Sequence, residues 1–191
     1  MNPPLELLGP RVRLRQWIDA DRAPFAALNA DPDVMRHFAA PLTPEASGAM
    51  VDRIRAHIDT HGFGLWALEV PQLGFAGFVG IGPTLPFPLD VAGVAPGSHE
   101  LGWRLARAAW GHGYATEAAL LAQRHAFGAL RLAQVVSYAV AANVKSRAVM
   151  QRLGLTLRAE FDHPQLPENH PLRRHVLYAQ DAPPAAGGTP P

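Results

Sequence analysis

The sequence predicts one α/β domain of the α+β kind, a mixed and twisted sheet of about seven strands flanked by about four helices. Three observations predict it. Segments of period-two and period-3.6 hydrophobicity alternate in the order β-α-α-β-β-β-α-β-α-β-β. Several strands follow one another directly, so hairpins coexist with any parallel pair. No repeat or linker divides the 191 residues, a length that suits one domain with its own core.

The elements justify themselves in chain order. "RVRLRQW" alternates charged and apolar side chains and reads as the first strand. Asp19 or Asp21 is placed to cap a short helix that Pro32 ends. Thr43, Pro44 and Glu45 open a second helix, Met50, Ile54 and Ile58 supply its stripe, and Gly62 stops it. "FGLWALEV" and "GFAGFVGIG", with a turn at residues 71–74, read as an antiparallel pair. A proline- and glycine-rich loop follows, then the strand "HELGWRLA". A helix is expected over Tyr114–Gly128, a strand in "AQVVSYAV", and a short helix in "NVKSRAVMQRLG" closed by Gly154. "LTLRAEFDH" and "RRHVLYAQ" read as the last strands. The domain is expected over residues 1–181, with a disordered tail at 182–191.

Composition narrows the function. The formal net charge is +1, from 17 basic and 16 acidic residues, which argues against binding nucleic acid by neutralising phosphates and against a polybasic membrane anchor. The chain has no cysteine, so thiolate nucleophiles and cysteine metal sites are excluded. No apolar run reaches membrane-spanning or signal-peptide length, and a cytoplasmic protein is expected.

The stretch "AAWGHGYATEAALL" carries the strongest chemical signal. A helix N-terminus leaves backbone N–H groups unpaired and partly positive. Glycine at 111 and 113 lets a ligand approach those amides, and Thr116 adds a hydroxyl in the first turn. A diphosphate suits such a site. The same glycines also fit a tight strand-to-helix connection with no guest. The stretch is not a P-loop, which needs Lys-Ser/Thr, nor the dinucleotide fingerprint, which needs a third glycine.

"HELGWRLARAAWGHGYATEA" followed by "ANVKSRAVMQRLGL" resembles the GNAT superfamily of acyl-CoA-dependent N-acyltransferases, and within it the RimJ/RimL-type branch. The resemblance runs from "VRLR" to "RRHVLY" and is strongest over residues 99–155. It implies acetyl-CoA as co-substrate, an amine acceptor, no metal, and a homodimer as a plausible assembly. In the family's phosphate loop, Gly113 and Ala115 fill two expected places, while Trp110 replaces a Gln or Arg. The resemblance implies that Gly111, His112, Gly113, Tyr114, Ala115 and Thr116 hold the pyrophosphate through their amides. It gives the backbone of Trp103, Arg104 and Leu105 to the pantetheine arm, in a slot between two splayed strands.

The resemblance also implies catalytic roles. Glu100 stands where several relatives carry a general base; the alternative is a structural carboxylate. His99, its neighbour, points to the opposite face. Asn143 and Ser146 match Asn-x-x-Ser, with Asn143 on pantetheine and Ser146 near the thioester sulfur; both residue types also suit a helix cap. Met150 occupies the place of a proton-donating tyrosine, so Ser146 or water must serve, or the thiolate leaves unprotonated. The expected function is acetyl transfer to a primary amine by direct attack, against the alternative of a non-catalytic acyl-CoA-binding module. His57 and His61 stand at a metal-ligand spacing but read as a solvated face. Residues 162–171 border the acceptor end in this family, as a selective segment or simply a stiff loop. Trp17, Trp66, Trp103 and Trp110 read as core or slot wall.

Overall fold

The computed structural model describes residues 5–84, 87, 90–91 and 93–184. Its strands are β1 (Leu7–Leu8), β2 (Arg13–Arg15), β3 (Leu65–Val70), β4 (Gly74–Thr84), β5 (His99–Leu105), β6 (Gln134–Val140), β7 (Thr156–Asp162) and β8 (Arg174–Asp181). Its helices are α1 (Arg22–Ala30), α2 (Pro32–Met35), α3 (Pro44–His61), α4 (Tyr114–Gly128) and α5 (Val144–Arg152). The sheet has eight strands in the order β1-β2-β3-β4-β5-β6-β8-β7. It is mixed, as expected, with β5–β6 the parallel pair among antiparallel neighbours. α4 supplies the crossover that a parallel pair requires.

Register assigns the two faces. Trp66, Val79 and Trp103 lie opposite one another on β3, β4 and β5, and Trp66 packs edge-on against His125 of α4. Ala67, Phe78 and Arg104 are the next residues along, on the other face, and Arg104 reaches Asn29 of α1. α4 therefore covers one face of this half of the sheet and α1 the other. Trp17, Phe25, Trp66 and Leu101 are fully enclosed between these layers.

Several expectations need correction. The sheet gains a strand, β1, whose two residues are too few to show a period. Asp21 does not cap α1 with its side chain; its carboxylate accepts from the Ile18 amide at 2.9 Å and grips Arg15 at 2.7 and 2.9 Å. Asp19 pairs instead with Arg55 at 2.7 Å. Pro32 does end α1, by holding Asp31 extended, but it then opens α2, with Asp31 accepting from the Asp33 amide. His57 and His61 are not a uniformly solvated face: His61 is exposed, while His57 is half-buried, its ring tilted against that of His61 and edge-on to Phe63. The α3 start at Thr43, its stop at left-handed Gly62 and the bounds of α4 match the sequence reading. Of the expected tail, residues 185–191 lie outside the described residues, as do residues 85, 86, 88, 89 and 92 of the expected loop.

Candidate active site

β5 and β6 pair only at His99–Val135 and Glu100–Val136, although both strands continue. Beyond Glu100 they diverge, because β6 follows β8 over its whole length while β5 follows β4. Gly77 helps fix β5. Its φ is +132°, and a Cβ there would stand 2.1 Å from the Arg104 carbonyl, so only glycine permits this approach of β4 to β5. The divergence opens a cavity of about 380 Å³, lined among others by Glu100, Trp103, Arg104, Ser137, Tyr138, Asn143, Ser146 and Met150.

One wall of the cavity is made of side chains. Alternation along β5 sends Glu100, Gly102 and Arg104 to one face. His99 turns the other way, with Nδ1 3.0 Å from the Gly82 carbonyl and its ring edge-on to Phe63. The Glu100 carboxyl folds over bare backbone; a Cβ at Gly102 would lie 3.5 Å from Oε1. Among the described residues no side chain pairs with it, and burial pushes its pKa up to about 7. Tyr138 of β6 shares the cavity, and its phenol is held above its ordinary value by burial and then by the charge of Glu100. His163 and His175 close the same end, their rings 4.8 Å apart, both shifted down first of all by burial. Leu166 and Leu172 complete that edge, so residues 162–171 do border the cavity.

Outside the cavity lining, where β5 leads on into α4, the chain presents backbone. Gly111 and Gly113 adopt φ of +80° and +81°, the left-handed turn that brings the chain into α4. The amides of residues 111–116 donate to no backbone or side-chain acceptor among the described residues; the first amide of this turn that bonds inward is Glu117, to the Gly113 carbonyl at 3.0 Å. Residues 111–113 are exposed. The structure thus leaves a row of free N–H groups at the positive end of a 15-residue helix.

Two side chains that the sequence reading missed hold this loop. Arg11, ahead of β2, meets Glu117 through its amide (2.8 Å) and Nε (2.7 Å), and its Nη1 donates to the His112 carbonyl at 3.0 Å. Its guanidinium also lies over Tyr114, on which His112 stacks. Lys145 of α5 sets its ammonium 4.2 Å from the centre of the Trp110 ring. Trp110 in turn donates its indole N–H to the Leu105 carbonyl at 2.8 Å. The tryptophan in the Gln/Arg place is therefore a tie from the loop to β5 and a platform for a cation. It also takes up the carbonyl of Leu105, so that beyond the two residues paired with β6 the backbone of Trp103 is left at the open edge. No local pattern signals Arg11, since its partner is 106 positions away.

α5 enters from the side. Asn143 caps it, accepting from the Ser146 amide at 3.2 Å, which is the capping role weighed on the sequence. Its amide nitrogen and the Ser146 hydroxyl remain at the cavity wall. Met150 is buried there and offers no proton. Trp17 and Trp66 are core and Trp103 is wall, as expected. Among the described residues no cluster of three or more His, Asp or Glu side chains is arranged to hold a metal ion, and no helix is long and apolar enough to cross a membrane.

Known proteins share the domain and the fold. Residues 11–156 match the acetyltransferase (GNAT) domain family. The FsC-acetyl coenzyme A-N(2)-transacetylase of Aspergillus fumigatus is 35% identical over 136 residues, covering 68% of this chain; the chain spans only 55% of that protein. An acetyltransferase from Agrobacterium tumefaciens superposes with a TM-score of 0.72 at 28% identity, covering 92% of this chain and 94% of its own. RimJ of Mycobacterium smegmatis, solved with a CoA disulfide, shares the fold with a TM-score of 0.72 at 23% identity, over 95% and 90% of the two chains. The splayed strands, the free amides and the family match agree: the chain belongs to the acetyltransferase (GNAT) domain family, whose members transfer an acetyl group from acetyl-CoA to an amine.

Proposed function

We propose that this chain acetylates a primary amine by direct attack, with Glu100 as general base and no acyl-enzyme. The observation that carries the reading is that β5 bears an unpaired carboxyl at the strand divergence and then leads into a turn of free amides at the start of α4. In this reading acetyl-CoA lies along β5, its pyrophosphate on the amides of residues 111–116 and its pantetheine on the open edge at Trp103, the carbonyls of Arg104 and Leu105 being taken up by β4 and Trp110. Asn143 donates to the pantetheine arm, and the Ser146 hydroxyl stands beside the sulfur.

The chemistry follows from the protons. The amine nitrogen attacks the thioester carbonyl; the new C–N bond forms and the C–S bond breaks. The amine gives up a proton to Glu100, directly or through water. A base of pKa about 7 suits an α-amine, whose ordinary value is about 7.7–8.0, better than a lysine amine at about 10.4. The leaving thiolate takes a proton from Ser146, from water, or from Tyr138, whose phenol keeps its proton at neutral pH.

The finer assignments rest on likeness. We place the protein near the RimJ/RimL branch, supported by the shared fold with RimJ. We keep the cytoplasm as the expected location, and regard nucleic acid as no partner, supported by the +1 net charge. A homodimer is the assembly the likeness suggests, which light scattering checks. Calorimetric titration with acetyl-CoA tests the central reading. Saturable binding followed by amine-dependent release of CoA is expected. No binding at millimolar ligand overturns it, and binding without turnover on any amine restores the non-catalytic module.

A further inference from the structure

Arg104 is the unusual charge of the cavity. It projects from the same face of β5 as Glu100, yet among the described residues no carboxylate pairs with it. Its Nη1 donates to Asn29 Oδ1 at 2.6 Å. Asn29 is itself fully buried, and its amide nitrogen donates to the enclosed Ser47 hydroxyl at 3.1 Å. The guanidinium lies over Phe38, 4.1 Å from the ring centre, and within 5.5 Å of that of Phe78. Neutral dipoles and aromatic faces thus hold the cation in place without cancelling it.

The hydrogen-bonding pattern identifies the missing partner. Nε is shut off from solvent and bonds to nothing. Nη2 makes no hydrogen bond among the described residues either. Nη2 is therefore the donor left for an anion entering the cavity, while the enclosed Nε stays behind it. With Nε enclosed and unpaired the cation has lost water without gaining a counter-charge, and an anion on Nη2 supplies that charge. Burial also draws the guanidinium pKa down to about 10, as an uncompensated charge requires.

We propose that Arg104 reads a carboxylate on the acceptor, so that the preferred substrate is an amino acid or acidic peptide and not a simple alkylamine or polyamine. This rests on the reading of the cavity as an acetyltransferase site. Glu100 takes the proton at one end of the wall and Arg104 fixes the anion at the other. Their Cα atoms are ~13 Å apart along the strand, and both side chains reach inward, so amine and carboxylate sit several bonds apart. Polyamines meet an added like charge at Arg104 and are disfavoured.

The test compares acceptors that differ only in charge. Wild-type protein is assayed by CoA release on ω-amino acids of increasing length, on their primary amides, and on short peptides with and without an acidic second residue. The acid is expected to exceed its amide in kcat/KM by ~10–100-fold, the value of one charge-assisted pair. Arg104→Gln should bring that ratio close to one, and Arg104→Lys should restore part of it. Asn29→Asp gives the guanidinium an internal carboxylate and should also collapse the ratio without removing the arginine. A preference confined to free amino acids marks a small-molecule acceptor, and one confined to acidic peptides marks a protein N-terminus; either supports the proposal. Turnover with equal rates on acids and amides overturns it while the site reading stands. Failure to bind acetyl-CoA in the same preparation overturns the site reading, and the inference with it.

Discussion

The cavity and the glycine loop that follows β5 are built from different materials. The loop, the proposed donor site, is backbone: left-handed glycines, free amides and a helix terminus within residues 111–116, exposed at 111–113. The cavity, the proposed acceptor site, is side chain: Glu100 and Arg104 from β5, Tyr138 from β6, His175 from β8 and His163 from the segment before it, half-buried apart from the buried His175. Backbone amides recognise the phosphates that every acyl-CoA carries and tolerate many side chains at the same positions. The acceptor site can change with each substitution on four elements while the donor site is kept. This division lets one fold keep its acetyl donor and vary its acceptor.

The comparison breaks most sharply at Glu100, a side-chain function with no backbone substitute. Glu100→Gln should lower kcat at neutral pH by ~10²-fold or more, the range typical of a lost general base. Wild-type kcat/KM should rise through an apparent pKa near 7, the value to which burial raises Glu100, and that limb should vanish in the variant. The deficit should narrow as pH rises and more of the amine is already neutral. Stability should move in the opposite sense. Between the ordinary value of 4.5 and about 7 the unfolded chain loses this proton before the folded one does, so wild-type stability falls as pH rises through that window. Glu100→Gln removes the penalty and should melt above wild type at pH above about 7, with no such gain at acid pH. Thermal melts and rate profiles on the same preparations read both effects. An unchanged profile with an unchanged melt removes Glu100 from the mechanism.

The same division explains what was legible in the sequence. The glycine loop and α4 were readable to the residue, because their signals are contiguous: a strand, two glycines, then an unbroken alanine-rich helix. Glu100 was readable from its place at the start of a strand, and the opposite aim of His99 from the period of two. Tyr138, His175 and Arg104 as one wall were not readable, because their proximity is created by β-sheet order and by the divergence of β5 from β6. Nothing local says that β6 will follow β8 away from β5. Capping was half legible. Thr43 announced α3, but Asp21 spent its carboxylate on Arg15 and on the Ile18 amide, a tertiary choice that no window of sequence contains. Pro32 stopped one helix and started another because the restriction on its predecessor and its own fitness for a first helical position act together.

Arg11 sharpens the comparison from the donor side. It touches no part of the free amide row, but it holds the His112 carbonyl and the first-turn Glu117, which keeps carbonyls turned out and amides turned in. Arg11→Ala should raise the KM for acetyl-CoA by ~10-fold with little change in kcat, since the loop would sample other orientations before the cofactor orders it. Its direct effect on stability should be small, because the Arg11 side chain is 54% exposed and such pairs contribute ~0–1 kcal/mol. A large fall in melting temperature with an unchanged KM would make Arg11 a structural tie only. The acid-to-amide preference should be untouched, since Arg11 lies at the loop, which does not read the acceptor.

Lys145 is the finest probe, because it adds the one kind of interaction the backbone site lacks. It is the only lysine of the chain, and its ammonium rests on Trp110 at the mouth of the glycine loop. An exposed cation–π contact stabilises by ~0.5–1 kcal/mol, enough to keep the charge near the loop but not to bury it. A mobile charge there attracts the phosphates over a range that salt screens, whereas amides act in contact and are screened less. Lys145→Ala should therefore raise the acetyl-CoA KM by only ~2–5-fold at low salt, and the difference should fade at high salt. Trp110→Leu should show the same salt-dependent loss, since it removes the platform, and should add a salt-independent part from the lost bond to the Leu105 carbonyl. Acetyl-CoA titrations across ionic strength separate the two parts. A Lys145→Ala effect that persists unchanged at high salt would mean that the ammonium binds the ligand directly, and that the donor site is not built of backbone alone.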